Sequence, residues 1–191
     1  MKLIFTLTVL LFTFTCTAQI NKGQFLVGGS GTYSAKNYGG FDSKFRSFEM
    51  DARDGIFLLN KLAGGIQLGY TYSKQFGTDG IANQYYRQYD HSINVGPFAR
   101  YYFLSAAKKI NLLADAHYFR SWSKSGNMYG DSKWKSHGYA FAAGPVLFLN
   151  PNVSLETTLN YQYRDEYYYS KGVQVKLGLQ VHLSKGKTIK K

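Results

Sequence analysis

Alternation of apolar and polar residues with a period of two is the feature that most limits what this chain can fold into. In residues 153–164, VSLETTLNYQYR, the even positions are all polar and the odd positions are mostly aliphatic or aromatic. A period of two is typical of a β-strand whose two faces meet different surroundings. Residues 172–183, GVQVKLGLQVHL, repeat the pattern with Val or Leu at every second position.

The alternating pattern recurs along the chain and predicts eight strands of about ten to twelve residues each. The predicted strands are residues 24–35, 47–57, 62–73, 92–103, 110–119, 138–149, 153–164 and 172–183. The connections alternate between long or polar ones and short ones. The long connections are residues 36–46, 74–91, 120–136 and 165–171, and the short ones are residues 59–61, 105–109 and 150–152.

This arrangement predicts an all-β fold, an eight-stranded antiparallel up-and-down barrel with four loops at one end. Short turns at one end and longer loops at the other are typical of transmembrane β-barrels of the bacterial outer membrane. A strand of about eleven residues, tilted by about 45°, spans roughly 25 Å, which is the height of the apolar band of such barrels.

Aromatic residues near both ends of the apolar face indicate which face would meet lipid. Two aromatic belts that bracket an aliphatic band are typical of membrane interfaces. Val153 and Leu155 are therefore expected to face lipid. The candidate girdle residues are Phe25, Tyr33, Tyr70, Tyr72, Tyr101, Tyr118, Tyr139, Tyr161 and Tyr163. The alternative is a soluble periplasmic lipocalin-like barrel, whose apolar face would point inward and bind an apolar ligand.

The opposite face carries Gly, Ser, Thr, Asn, Gln and charged residues, which predicts a polar lumen. An eight-stranded barrel is just wide enough for side chains to fill it, and ions buried there must be paired. The candidate lumen network is Glu49, Asp51, Arg53, Arg100, Asp115, Glu156, Arg164 and Lys176. Two interpretations stay open, a structural plug and a narrow porin-like path for ions or small solutes.

The first eighteen residues predict export. Lys2 is followed by an apolar run from Leu3 to Phe14, and Cys16 and Ala18 are small residues at the expected positions before a cut at Gln19. We expect residues 1–18 to be a cleaved signal peptide, 19–183 the barrel domain and 184–191 a basic periplasmic tail. A lipoprotein anchored at Cys16 is the competing interpretation.

Catalytic, cofactor and metal residues are not expected. His91 and His137 each have a serine beside them in sequence, but adjacent residues of a strand point to opposite faces. The chain has no HxH or HExxH spacing and no acidic calcium loop. We therefore predict a structural or surface-interacting protein that is not an enzyme, with no catalytic, cofactor or metal residues.

The long connections combine Tyr, Trp, Lys and Arg, which suits either a contact surface or anchoring at lipid headgroups. The net charge of +12 also fits anionic lipid headgroups, or simply solvated loops and tail. Expected partners are outer membrane lipid and lipopolysaccharide, and the assembly machinery and periplasmic chaperones in transit. An extracellular ligand at the four long connections is a further possibility, and export argues against nucleic acid.

Four stretches resemble the small outer membrane β-barrel domain that is akin to the OmpA transmembrane domain and to porin-family barrels, in its form from the Bacteroidetes. The stretches are TAQ (17–19), GQFLVGGSGTYS (23–34), GIFLLNKLAGGIQLGYTYS (55–73) and VGPFARYYF (95–103). The resemblance implies the barrel architecture over residues 19–183 and implies no particular activity. No C-terminal peptidoglycan-binding domain like that of full OmpA is expected, and the chain departs from the family in placing Leu183, rather than an aromatic residue, at the end of the last strand.

Pro97 and Pro145 lie inside predicted strands, and each follows a glycine. Proline has no N–H to donate to a β-ladder, and a closed barrel has no edge strand to hold it. The sequence therefore predicts a bulge or a local break at each proline.

Overall fold

The alternating segments form strands that pair in sequence order, and β1 pairs with β8 to close the cylinder. This computed structural model describes residues 20–38, 43–78, 85–105, 108–127, 130–165 and 170–183. The strands are β1 (Phe25–Tyr38), β2 (Ser43–Leu59), β3 (Leu62–Thr78), β4 (Tyr85–Tyr102), β5 (Ile110–Asn127), β6 (Gly130–Phe148), β7 (Val153–Asp165) and β8 (Ser170–Leu183). The predicted eight-stranded antiparallel barrel is confirmed. No helix in the described ranges is long and apolar enough to cross a membrane.

The strands are longer than predicted, and the loop bounds 36–46, 74–91, 120–136 and 165–171 were wrong. The clearest case is the third connection, because β5 continues to Asn127 and β6 begins at Gly130. Along β5, serines point inward while Arg120, Trp122 and Lys124 point outward. The period of two therefore persists, but both faces are largely polar, and a criterion based on hydrophobic alternation ends the strand too early.

The extra length places part of the barrel wall beyond the apolar band. β6 has 19 residues. At about 3.4 Å per residue and a tilt of about 45°, such a strand rises roughly 45 Å, well above an apolar band of about 25 Å. The polar extensions all lie at the loop end, where both faces of the wall carry largely polar side chains.

The apolar face of the barrel points outward. Leu159 is 58% exposed and Leu177 is 65% exposed, whereas Glu156 and Asn160 on the opposite face of β7 are buried. Val153 and Leu155 likewise lie on the outer face. The lipocalin-like alternative required the reverse arrangement, with the apolar face inside.

At the turn end the interior is apolar, and the prediction of a polar lumen was wrong there. Phe57, Tyr102 and Phe148 are almost fully buried and pack around the His182 ring, with ring centroids 5.5–5.9 Å from it. Ile20, which precedes β1, is buried in the same cluster. Both faces of these strands are apolar near the turns, so alternation of polarity gives no sign of what the inward face carries.

The two Gly-Pro pairs mark gaps in the ladder. Pairing of β4 with β5 stops after Val95 and resumes at Phe98 in the same register. Pairing of β6 with β7 stops and resumes in the same way around Pro145. A Cβ on Gly96 would lie 1.9 Å from the Tyr118 carbonyl oxygen, so only glycine permits this close approach of the two strands. The predicted local break is confirmed, and no bulge accompanies it.

Candidate functional site

A network of buried ion pairs crosses the barrel interior below its middle. Arg100 on β4 donates from Nε to Asp115 Oδ2 at 2.9 Å and from Nη1 to Glu156 Oε2 at 2.7 Å. Arg53 on β2 donates from Nη1 to Glu156 Oε1 at 3.2 Å and from Nε to Gln67 Oε1 at 2.6 Å. The Arg100 side chain is 0% exposed and the Glu156 side chain is 1% exposed. Two guanidinium groups and two carboxylates therefore neutralise one another across strands that are distant in sequence.

A second buried cluster lies closer to the loop end. The Lys176 ammonium contacts Asp51 at 2.5 Å and also Glu49. Gln174 Nε2 donates to Glu49 Oε2 at 3.1 Å, and Ser30 Oγ donates to Asp51 Oδ2 at 3.4 Å. Each carboxylate thus keeps hydrogen-bond donors from two side chains, as buried ions require.

A cavity of about 10 Å³ lies beside the Lys176 cluster, with Glu49, Asp51, Gln67 and His117 in its wall. This volume is close to the roughly 10–15 Å³ that a single water molecule needs. The described interior thus holds ion pairs, hydrogen-bonded amides and an apolar plug in series.

All the predicted lumen residues except Arg164 lie in these two clusters. Arg164 lies nearer the loop end, where its guanidinium stacks 5.6 Å from the centroid of the Phe119 ring. It also lines a cavity of about 370 Å³ at the mouth of the barrel, together with Ser47, Thr71 and Gln174. Alternation along the strand predicts that Arg164 points inward, but it does not predict how far along the barrel axis the side chain lies.

Two glutamine amides that were not among the predicted network residues complete the first cluster. Gln180 Nε2 donates to Glu156 Oε1 at 3.0 Å, and Gln67 contacts both Arg53 and His117. Both glutamines lie at inward positions of predicted strands, so the alternating pattern indicates that their side chains face the lumen. Because an amide carries no charge, its position in a strand does not by itself predict membership of an ion network.

A layer of serines lines the interior above the ion clusters. Ser92 Oγ lies 2.7 Å from Ser121 Oγ, and Ser123 Oγ donates to Ser92 Oγ at 3.1 Å. Gln88 Nε2 donates to Ser125 Oγ at 3.3 Å. Three of these serines lie in the segment predicted as a loop, which explains why the layer was missed.

A histidine and a serine side chain are in contact in the interior at the turn end. Ser154 Oγ lies 3.3 Å from His182 Nε2, but both side chains are fully buried within the turn end. His91 points to the outer face and bonds Tyr70 Oη at 2.9 Å, while the adjacent Ser92 is buried inside. Among the described residues, no group of three or more His, Cys, Asp and Glu side chains is placed to hold a metal ion.

The candidate girdle residues all lie at outward positions of their strands. Tyr139 and Tyr163 stack on neighbouring strands with centroids 5.1 Å apart, and Tyr101 meets Phe103 edge to face at 5.1 Å. Trp122, which is 41% exposed, is a further outward aromatic residue that the loop assignment hid. The role of these rings at a membrane interface stays a prediction.

The comparisons with solved structures bear on the fold. The outer membrane protein OprG of Pseudomonas aeruginosa matches with a TM-score of 0.56 at 9% identity, covering 89% of this chain and 100% of that one. Neisserial surface protein A matches with a TM-score of 0.54 at 17% identity, covering 83% and 96%. The N-terminal β-barrel domain of Pseudomonas aeruginosa OprF matches with a TM-score of 0.52 at 14% identity, covering 85% and 98%.

The chain has the fold of the small outer membrane β-barrels. Each of these matches covers nearly the whole of the solved barrel, so the likeness concerns the entire domain. The sequence matches no protein-family model and no curated protein. At identities of 9–17% the likeness extends to the fold alone.

Proposed function

We propose that this protein is an integral barrel of the bacterial outer membrane with a sealed interior, and that it acts as a structural or surface-interacting component. Two features support the membrane location: an outer face of exposed aliphatic residues, and a fold shared with outer membrane proteins. The proposal includes export by a signal peptide cleaved after residue 18. Residues 1–18 and the basic tail, residues 184–191, lie outside the described residues.

The pair of ion clusters above an apolar plug is the observation that supports a sealed interior. A solute that crossed the barrel would have to separate Arg100 from Glu156 and then pass Phe57, Tyr102 and Phe148. Separating a buried ion pair leaves both charges without a partner and away from bulk solvent, which is strongly unfavourable. The clusters therefore support a plug over the porin-like alternative.

A catalytic role receives no support from the arrangement of the reactive side chains. The Ser154–His182 contact is enclosed by aromatic rings, and His91 and Ser92 lie on opposite sides of the wall. A nucleophile and its base must share a face that substrate reaches. We accordingly propose a non-catalytic function.

The proposed partners follow from the location. Outer membrane lipid would surround the apolar band, and periplasmic chaperones and the barrel assembly machinery would handle the chain in transit. An extracellular ligand would meet the strand extensions and the short connections at the loop end, where aromatic and basic side chains are frequent.

Three measurements test this proposal. A folded barrel should migrate differently on a gel before and after boiling, and membrane fractionation should recover the protein with the outer membrane. In planar lipid bilayers we expect no steady single-channel conductance. A uniform, steady conductance would contradict the sealed interior and would favour the pore.

A matched pair of variants shows whether the apolar plug is the seal. The variant F57A/F148A removes two inward rings, whereas F141A removes a ring on the outer face. We expect intermittent conductance from F57A/F148A and silence from F141A. Silence from both, in barrels that still show the heat shift, would place the seal in the ion clusters.

A further inference from the structure

Basic side chains collect on the outer face of β4, β5 and β6 at the loop end. The ladder places His91, Lys124 and Lys133 side by side on the three strands. Two residues further down, Trp122 pairs with Lys135 in the next outward row. Arg120 and His137 form the row below that. The extensions of the strands beyond the predicted bounds thus carry a compact basic surface.

This surface contains a groove of about 350 Å³ with one apolar and one basic side. Tyr70, Ile93 and Trp122 form the apolar side, and each is 40–50% exposed. The basic side is formed by Lys124, Lys133 and Lys135. We call this site the basic groove.

The positive charge of the basic groove is only partly compensated. Lys124 pairs with Asp131 at 2.5 Å, and this contact lowers the pKa of the Asp131 carboxyl below its ordinary value. The described carboxylates form no ion pair with Arg120, Lys133 or Lys135. Among the described residues, Arg120 and Lys135 therefore carry charge that an external anion can neutralise, while Lys133 also lies near the Asp131 carboxylate.

Other basic residues of the same rim are engaged within the protein. Lys74 Nζ lies 4.9 Å from the centroid of the Phe76 ring, and the Arg87 guanidinium lies 5.4 Å from that of Tyr89. Arg46 donates to the Lys36 carbonyl oxygen. The cations of the basic groove thus differ from Lys74, Arg87 and Arg46 in lying beside an apolar wall without such a contact.

A second, apolar groove lies below the basic groove on the outer face, mainly along β4–β7. Its volume is about 530 Å³, and its wall contains the small Ala99, Ala116 and Ala143 together with the larger Phe141 and Leu159. Ala116 lies four residues along β5 from Arg120, or roughly 14 Å at 3.4 Å per residue. A hydrocarbon chain that descends from a headgroup held above would meet this groove.

We propose that the basic groove binds the phosphorylated headgroup of an outer-leaflet glycolipid, of the lipopolysaccharide class, whose acyl chain lies in the apolar groove. Lys133, Lys135 and Arg120 contact the phosphate oxygens, and Trp122 packs on the headgroup at the interface. This inference rests on the proposed outer membrane location. Charge complementarity selects a phosphorylated lipid over a neutral one, because juxtamembrane Lys and Arg attract anionic headgroups.

Native mass spectrometry of the detergent-solubilised barrel tests the proposal. The probes are lipid A with its phosphates and the same lipid after dephosphorylation. We expect the phosphorylated form to bind and the variant K133Q/K135Q to bind it roughly 30-fold more weakly, as expected for the loss of two interfacial cations. The matched control K44Q/K74Q removes the same charge from the same rim outside the groove, and we expect it to bind like the wild type.

Several results would overturn the proposal. Equal binding of both lipids would remove the phosphate from recognition, and equal weakening by K44Q/K74Q would make the effect one of overall charge. Equal competition by phosphatidylglycerol would replace the glycolipid with any anionic phospholipid, and a dimer without lipid would assign the groove to a second copy. Loss of the heat shift in the wild-type protein would instead mark failure of the proposed membrane function.

Discussion

The barrel carries charged residues in two settings, and the same chemical groups have opposite consequences in them. Inside, Arg100 and Glu156 are withdrawn from solvent and each meets more than one partner. On the outer rim, Lys133 and Lys135 are exposed and form no ion pair with a described carboxylate. The comparison shows that the strand face, more than the residue type, decides whether a charge holds the fold together or remains free to bind.

The physical difference is the cost of removing a charge from water. A buried pair has lost its hydration and depends on its partner, so removal of one member leaves an uncompensated ion. An exposed charge keeps its hydration, and salt at moderate ionic strength largely screens its interactions with charges more than about 10 Å away. Mutations on the two faces should therefore separate into large and small effects on stability.

The largest effect is expected for Glu156→Gln. The substitution leaves Arg53 and Arg100 with Asp115 as their remaining carboxylate, and we expect the free energy of unfolding to fall by about 3–5 kcal/mol. Urea titration of the refolded barrel in lipid vesicles measures it. The matched control is Asp165→Asn, which removes an exposed partner of His137 and should change stability by less than about 1 kcal/mol. Equal effects from the two substitutions would contradict the comparison.

Apolar residues on the two faces allow the same test without charge. Phe57→Ala opens a cavity in the plug and should cost about 3–5 kcal/mol. Phe141→Ala removes a ring from the outer face, where lipid chains fill the vacated space, so we expect a loss of about 1 kcal/mol or less. The same urea titration compares the two. A larger loss for Phe141→Ala would indicate that this ring packs against protein and not lipid.

A charge placed in the middle of the outer face should be costly although the position is exposed. Ala116→Arg puts a guanidinium in the apolar groove, and arginine on the lipid face near the midplane costs about 2–4 kcal/mol. Lys135→Arg, in the basic groove near the interface, is the control and should be nearly neutral. If Ala116→Arg is equally neutral, the apolar groove does not lie within the hydrocarbon layer.

The smallest effect on stability is expected for K133Q/K135Q. Exposed substitutions away from buried contacts usually change the free energy of unfolding by no more than about 0.5 kcal/mol. The same variant should lose binding of phosphorylated lipid, so stability and binding would separate in one protein. A large loss of stability would mean that these lysines hold the strand extensions together, and it would weaken the case for a binding groove.

Alternation with a period of two assigns each strand residue to one of the two faces of the barrel wall. In a strand, neighbouring side chains point to opposite sides, so Glu156 and Lys176 could be placed inside and Leu177 outside from the sequence alone. The pattern also indicated the number of strands. It failed where polarity stopped alternating, at the polar extension around Trp122 and at the apolar turn end around Phe57.

The tertiary structure decided which inward residues meet. Arg53 and Glu156 are 103 positions apart in the chain, and their contact depends on the tilt of the strands and on the register between β1 and β8. Those quantities set the height of each side chain inside the cylinder. Height in turn decides which charges form a cluster, and it explains why Arg164 joins neither of the two ion clusters. Height arises from the closure of the whole barrel, whereas the sequence of one strand carries only the choice between two faces.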